Sequence, residues 1–418
     1  MTQLKYLDKY IDEVDRCVKC GGCQAACPTF DATGDESMVA RGRMALVEAV
    51  IKGRIGLTEG FARRINSCLD CKACMATCPS GVKVDRIIYA AKAEISAQNG
   101  CNPFKKMAVR LFLTKGNNHP NILAAAGFLK RFFYDSAPAA LPFPSSIKWD
   151  GVKRLLPAIG KRPFRKSSRS STITDPKGRV AFFVGCATNL FHQHIGKAVL
   201  EVLEHNKIEV VMAEDEQCCA IPFLSMGDRD TAVKLAKRNI DIFTSLQVDA
   251  IITCCATCGA TLRDYHLWVD DDRAESLSRK SMDIHEYLAK NTDYTHGIGE
   301  LNKTVTWHDP CHLSRGQGIK DEPREILKSI PGLEFKEMKK PCYCCGFGGE
   351  VSITDYDMSM KIAARKVDSI NKSCADEVAT GCPACKMHIE DALNHYGGSR
   401  PVRHTVEYLA EAYRQNKS

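Results

Sequence analysis

Six short β-rich runs alternate along the C-terminal part of this chain with stretches in which apolar residues recur every third or fourth position. RVAFFVGC (179–186), IEVVMA (208–213) and DAIITC (249–254) have the composition of buried strands. Between them, HIGKAVLEVLEHN (194–206) and RDTAVKLAKRNIDIF (229–243) have helical spacing. The order then recurs as TVTWHDPC (304–311), PREILKSI (323–330), LEFKEM (333–338), DMSMKIAARKVDSI (357–370) and EVATGC (377–382). Strands alternating with helices predict parallel sheet with helices on its faces. Earlier in the chain, RMALVEAVIKG (43–53) predicts a helix, and LPFPSS and GKRPFRKSSRSS read as loop. ILAAAGFLKRFFY (122–134) predicts a short amphipathic helix with basic flanks, packed on its own protein or docked on a membrane or partner.

Cysteines sharpen this pattern into a duplication. Cys186, Cys218, Cys255 and Cys258 map onto Cys311, Cys344, Cys382 and Cys385 with offsets of 125, 126, 127 and 127 residues. Glu286-Tyr287-Leu288 recurs as Glu407-Tyr408-Leu409, offset by 121. The expected division is a first unit over 1–98, a connector over 99–177, and two copies of one α/β unit over 178–300 and 301–418. Each duplicated cysteine falls at or just past a strand end, or one turn further on. In open α/β sheets that is where ligands collect, so five thiols of one copy can converge on one site.

Composition changes the picture little, except in cysteine and charge. The 418 residues are 44% hydrophobic and 26% charged, ordinary for a globular chain that needs no disulfide staples. The charged N-terminus has no apolar signal core, and no run approaches a membrane span. In a reducing compartment, 22 cysteines read as metal ligands rather than disulfides. The expected location is the cytoplasm of a bacterium or archaeon. The net charge of +8 is concentrated between residues 101 and 179, where sixteen Lys or Arg face three Asp. Such a segment suits an acidic partner or the inner face of the cell membrane. No nucleic-acid-binding motif accompanies it, so no nucleic-acid partner is expected.

The first unit holds Cys17-x2-Cys20-x2-Cys23-x3-Cys27-Pro28, repeated as Cys68-x2-Cys71-x2-Cys74-x3-Cys78-Pro79. This is the bacterial two-cluster ferredoxin run, in which the fourth cysteine ligates the other cluster. Cys17, Cys20, Cys23 and Cys78 are therefore expected to hold one 4Fe–4S cubane, and Cys68, Cys71, Cys74 and Cys27 the other. Structural zinc also uses Cys-x2-Cys pairs but takes four ligands per tetrahedral site, which fits the crossed runs less well.

The second motif is a lone Cys, a Cys-Cys pair, then Cys-x2-Cys: Cys186, Cys218-Cys219, Cys255, Cys258, and again Cys311, Cys344-Cys345, Cys382, Cys385. Five thiols exceed what a cubane or a zinc ion takes. The pattern resembles the CCG domain of the heterodisulfide reductase catalytic subunit, also found in iron–sulfur subunits of glycolate oxidase, lactate-utilisation complexes and anaerobic glycerol-3-phosphate dehydrogenase. HDPCHL (308–313), CCGFGG (344–349) and GDESMVARGRMALVEAVIKG (34–53) add to the likeness, which covers nearly the whole chain. The implied fold is multidomain: a small α-helical ferredoxin-like domain with two 4Fe–4S clusters, then a duplicated α/β CCG domain with parallel strands. By the same resemblance each five-cysteine set would hold one noncubane 4Fe–4S cluster. The departure is Ala220, where the pattern has Gly. If Gly there serves a positive φ or a close approach, Ala220 strains it. One or both copies holding a cubane, zinc or nothing is the alternative.

The resemblance implies an iron–sulfur electron-transfer subunit, working between an FAD-dependent 2-hydroxyacid dehydrogenase of glycolate or lactate type and quinone or another acceptor. The alternative is a thiol–disulfide oxidoreductase of heterodisulfide-reductase type. No catalytic residue for organic chemistry is visible. Of the remaining cysteines, Cys254 and Cys342 border ligand groups. They and Cys101 and Cys374 read as small buried hydrophobes. His308 and His312 read as hydrogen-bonding or packing neighbours of Cys311.

Overall fold

A computed structural model of the chain describes residues 4–99 and 170–416, with the short stretches 109–110, 113–114, 155, 157–158, 160 and 162–168. The 122–134 run, Cys101 and most of the basic connector lie outside the described residues.

The N-terminal unit is helical: α1 (Pro28–Thr33), α2 (Ala40–Ile51), α3 (Glu59–Asn66) and α4 (Val84–Asn99), joined by the two cysteine loops. Pro28 opens α1, where its missing N–H is not needed. The Thr58 side chain caps α3 by accepting from Phe61 N–H at 3.2 Å. The core gathers Met44 and Val47 from α2, Phe61 and Ile65 from α3, and Ile87 and Ile88 from α4. The sequence places α2 at 43–53, three residues late at its start.

Two four-stranded sheets follow, all their pairings parallel. The first contains β1 (Gly178–Phe183), β2 (Ile208–Met212), β3 (Ala250–Thr253) and β4 (Ser281–Asp283) in the order β2-β1-β3-β4. The second contains β5 (Lys303–His308), β6 (Leu333–Phe335), β7 (Glu377–Thr380) and β8 (Val402–His404) in the order β6-β5-β7-β8. The helices around them are α5 (Gln193–His205), α6 (Arg229–Thr244), α7 (Ala256–Arg263), α8 (Ile284–Asn291), α9 (Tyr356–Asn371), α10 (Pro383–Tyr396) and α11 (Thr405–Gln415), besides shorter turns.

β1 shows why its sequence is nearly all apolar. Val180 and Phe182 face one core, where α5 contributes Val199 and Val202 and α11 of the other copy contributes Val406 and Leu409. Ala181 and Phe183 face the opposite core, which also holds Phe243 and, from the second copy, Trp307 and Leu393. Both faces are dry, and each such large side chain contributes roughly 1.5–3 kcal/mol on burial. The two copies thus share cores instead of standing apart. β4 and β8 escape the sequence pattern because Ser-Met-Asp and Val-Arg-His are short and carry no apolar run.

Candidate metal centres

The eight cysteines of the helical unit line two neighbouring cavities. Cys17, Cys20, Cys23 and Cys78 line one, with Cys74 also on its wall. Cys27, Cys68, Cys71 and Cys74 line the other. The loop reversals need left-handed backbone at Lys19, Gly21, Asp70 and Lys72. Burial pushes the Cys71 thiol up to about 12, and burial with neighbouring thiols raises Cys74 well above the ordinary value.

In each duplicated unit the strand order sets the site. The chain leaves β1 for β2 on one side and returns to β3 on the other, so a crevice opens at the strand ends between β1 and β3. Cys186 follows β1 in the turn Gly185–Leu190, and Cys255 stands at the N-cap of α7 directly after β3. Cys218 and Cys219 arrive on a longer loop, six residues past the end of β2. The second copy repeats this with Cys311, Cys344-Cys345, and Cys382 at the N-cap of α10. Gly185, at φ +72°, keeps the crevice open, since a Cβ there would stand 2.9 Å from Cys258 Sγ.

Nine of the ten thiols form one connected line, and Cys311 stands beside it, its thiol raised by burial and by the charges of Cys71, Cys345 and Cys382. Cys218 bonds Cys186 and Cys219, and Cys219 bonds Cys258. Cys255 bonds both Cys258 and, across the junction between the copies, Cys382. Cys382 bonds Cys385, which lies 3.7 Å from Cys345 Sγ, and Cys345 bonds Cys344. Hydrogen bonds from Cys344 and Cys385, with His308 adding, draw Cys345 well below the ordinary thiol value. Cys218 acts likewise on Cys219. His308, Cys345 and Cys385 offer ligand atoms within 4.8 Å of one another.

The helical unit touches the first copy, where Lys72 pairs with Asp264 at 3.3 Å, and docks its cysteine loop on the second. Arg315 donates to the Cys71 carbonyl at 3.0 Å and to the Cys342 carbonyl at 2.6 Å. His312 bonds the Asp70 carbonyl at 2.9 Å through Nε2 and Thr257 Oγ1 at 3.2 Å through Nδ1. Leu69, Cys71 and Ala73 pack with Val351, Met358 and Ile362, and Cys311 and Cys344 border this cluster.

The comparisons with known proteins agree with this geometry. The 4Fe–4S dicluster domain model matches residues 13–82, and the cysteine-rich CCG domain model matches residues 180–263 and 305–390. A protein of Bacillus subtilis named probable glycolate oxidase iron–sulfur subunit is 32% identical over 96% of this chain and 94% of its own length. The chain belongs to this CCG-type iron–sulfur family. A Methanosarcina acetivorans protein, named as one subunit of the dihydromethanophenazine:CoB–CoM heterodisulfide reductase, is 26% identical over 96% of this chain and 94% of its own. A solved structure of a hypothetical protein from Helicobacter pylori superimposes with a TM-score of 0.52 at 10% identity, over 98% of this chain and 76% of that one, a likeness of fold alone.

The donor set of this CCG-type chain fits iron–sulfur clusters. Most of the connected thiols are driven up by burial and by one another. They can all be thiolates only around a cation-rich group, which metal binding supplies.

The two copies differ in what surrounds their thiols. In the first, the Glu216 carboxylate accepts from Val184 N–H at 2.8 Å and Gly185 N–H at 2.9 Å, and pairs with Arg165 at 2.9 Å. Both side chains are at most 1% exposed. Burial raises the Glu216 carboxyl, and Arg165 and the amides oppose the rise. In the second copy Lys366, from α9, is buried with its Nζ bonded to the Pro341 carbonyl at 2.7 Å, the Lys340 carbonyl at 3.4 Å and Met338 Sδ at 3.4 Å. Burial lowers it to about 8, and Cys345 and Asp309 oppose that fall. None of Glu216, Lys366 and Arg315 is singled out by motif. Superposing the copies at offset 127 would have exposed Lys366 opposite Asn239, a charge at a core position.

Ala220 has φ +81° and Gly346 φ +95°, so both copies use left-handed backbone here and Ala220 bears the strain. Cys254 is buried as expected, 3.5 Å from Thr188 Oγ1. Cys342 and Cys374 are exposed instead, because their loops lie outside the cores. His312 acts as a hydrogen-bonding neighbour, whereas both ring nitrogens of buried His308 lack a hydrogen-bond partner among the described residues and offer a ligand atom beside Cys345 and Cys385.

Proposed function

We propose that this chain is the iron–sulfur electron-transfer subunit of an oxidoreductase complex, divided as 1–98, 99–177, 178–300 and 301–418. Cys17, Cys20, Cys23 and Cys78 hold one 4Fe–4S cubane, and Cys68, Cys71, Cys74 and Cys27 a second. Each five-cysteine set holds a further, noncubane 4Fe–4S cluster. When bound, such clusters accept and release single electrons. The protein's part is to hold thiolates, exclude water and fix the charges around them. The positive N-termini of α7 and α10, which begin at Cys255 and Cys382, face the two sites.

The observation that carries this reading is contiguity. The cavity of Cys71 abuts Cys311 and Cys344, and the thiols then run unbroken through Cys382 and Cys255 to Cys186. A wire needs such spacing. The partner is an FAD-containing 2-hydroxyacid dehydrogenase and the acceptor quinone or another carrier, in keeping with the relatives named for glycolate oxidase and lactate utilisation. The protein works in the cytoplasm, with the basic connector on the partner or the inner membrane face. No helix among the described residues is long and apolar enough to cross a membrane.

The Cys255–Cys382 contact between copies favours a second reading, a thiol–disulfide oxidoreductase of the kind named in the heterodisulfide reductase relatives. Anaerobic purification with iron counting tests the first reading, with roughly sixteen irons per chain expected for four such clusters. About eight would restrict clusters to the helical unit. Turnover of a disulfide by the chain alone, with an artificial donor, would favour the second reading. Activity only beside a flavoprotein would favour the first.

A further inference from the structure

The duplicated units are close copies in backbone but not in charge. α6 and α9 are both sixteen residues long, and their N-caps, Asp228 and Asp355, both accept from the third residue beyond. At the same offset of 127, Lys366 stands where the first copy has Asn239. Asn239 is wholly buried and neutral. Its Nδ2 donates to the Cys218 carbonyl at 3.1 Å, and its Oδ1 accepts from Gln217 N–H at 2.8 Å. Lys366 instead brings an ammonium group with three acceptors for its three N–H donors, the Pro341 and Lys340 carbonyls and Met338 Sδ.

A second cation adds to it. Arg315 stands at the position of Leu190, by the offset of 125 that relates Cys311 to Cys186 and β5 to β1. Its guanidinium is bonded to the Cys71 and Cys342 carbonyls, beside Cys311 and Cys344. Among the described residues neither Lys366 nor Arg315 has a carboxylate within ion-pair distance. Asp309, the acid that acts on Lys366, is already held by Arg324 at 2.9 and 3.0 Å. In the first copy the buried Arg165 and Glu216 pair with each other, and the further buried groups Asp228 and Asp283 are acids.

We propose that Lys366 and Arg315 make the two sites unequal, raising the reduction potential of a cluster bound by Cys311, Cys344, Cys345, Cys382 and Cys385 above that of one bound by Cys186, Cys218, Cys219, Cys255 and Cys258. This rests on the cluster reading given above. Reduction adds one electron and one negative charge without making or breaking a bond, and a fixed cation in a dry site stabilises that charge more than a neutral amide does. The second site is also the one against which the helical unit docks its cysteine loop. The chain thus places its deeper electron well next to the ferredoxin-type cysteines.

The test is a potentiometric EPR titration of the full chain, reduced stepwise with dithionite. Signals are assigned by their loss in Cys345→Ala and Cys219→Ala. The second-set signal is expected at the higher midpoint. Lys366→Met should lower that midpoint and leave the first-set signal where it is, while Lys366→Arg should keep it. Equal or inverted midpoints in the unaltered chain would overturn the proposal, and they decide it even if Lys366→Met fails to fold. So would a Lys366→Met shift shared by both signals, or none. About eight irons per chain and no signal from either duplicated set would instead remove the cluster reading, and this inference with it.

Discussion

Ala220 and Gly346 carry the same turn with different side chains, and the difference has a measurable sign. A Cβ on left-handed backbone costs about 1–2 kcal/mol, while replacing Ala by Gly frees the unfolded chain by about 0.4–1 kcal/mol. Ala220→Gly should therefore stabilise the protein, by up to about 1.6 kcal/mol. Gly346→Ala meets more than backbone strain, because its Cβ would stand 2.4 Å from the Ser359 carbonyl oxygen. That substitution should destabilise by more than Ala220→Gly gains. Anaerobic thermal unfolding of both variants checks the pair, and a gain from Gly346→Ala would contradict the account. The sequence flags this position because the duplicated motif predicts Gly at both. It could not say that the backbone would keep its shape around Ala.

At the scale of elements, the first site depends on tying the end of β1 to the loop after β2. Glu216 does this by accepting two β1-end amides while paired with Arg165 from the short turn Phe164–Ser167. Removing one partner of so buried a pair leaves an uncompensated charge, at a cost of about 3–5 kcal/mol. Glu216→Gln should lower unfolding stability by that order, and Arg165→Met with Glu216→Leu should recover much of it. Equal losses in the single and double variants would mean the pair is not the tie. The alternation of apolar strands and amphipathic helices is enough to place three strands of each sheet. It misses β4 and β8 because Ser-Met-Asp and Val-Arg-His lack the apolar run that marks the equally short β6, so they owe their place to neighbours in the sheet. It also gives no sign of Glu216 as a tie, since that contact joins residues far apart in sequence.

At the scale of the molecule, the two copies are locked by His404, at the end of β8. Its Nδ1 accepts from Val406 N–H at 3.2 Å, so Nε2 carries the proton it donates to the Cys254 carbonyl of the other copy at 2.9 Å. The ring stacks on His285 at 5.4 Å. Burial, with His285 adding, lowers His404 from 6.5 to about 3. A depressed histidine means that the unfolded chain binds the extra proton first. The stability contributed by neutral His404 is thus complete above pH 6.5 and is lost as the pH falls from there towards 3. Below pH 6 the loss should approach about 1.4 kcal/mol per pH unit. Denaturation between pH 8 and 5 should show this slope setting in below pH 6.5, and His404→Gln should reduce it to the share of His192, which burial also lowers to about 3. An unchanged slope in the variant would assign the acid sensitivity elsewhere.

What the sequence determined is what depends on local spacing. Cysteine runs spaced for wrapping a cluster, strand-like runs of apolar residues and a repeat near 126 residues are all readable without a fold. They lead to the helical ferredoxin-like unit and the two parallel α/β copies. What only the tertiary structure decided depends on contacts across the repeat. It joined Cys255 to Cys382, set Cys71 against Cys311 and Cys344, exposed Cys342 and Cys374, and buried Lys366 where the other copy has Asn239. A repeat predicts two equal sites, because spacing carries no information about which charges will face them. Burial makes them unequal, because in a dry core one unpaired ammonium outweighs many exposed charges.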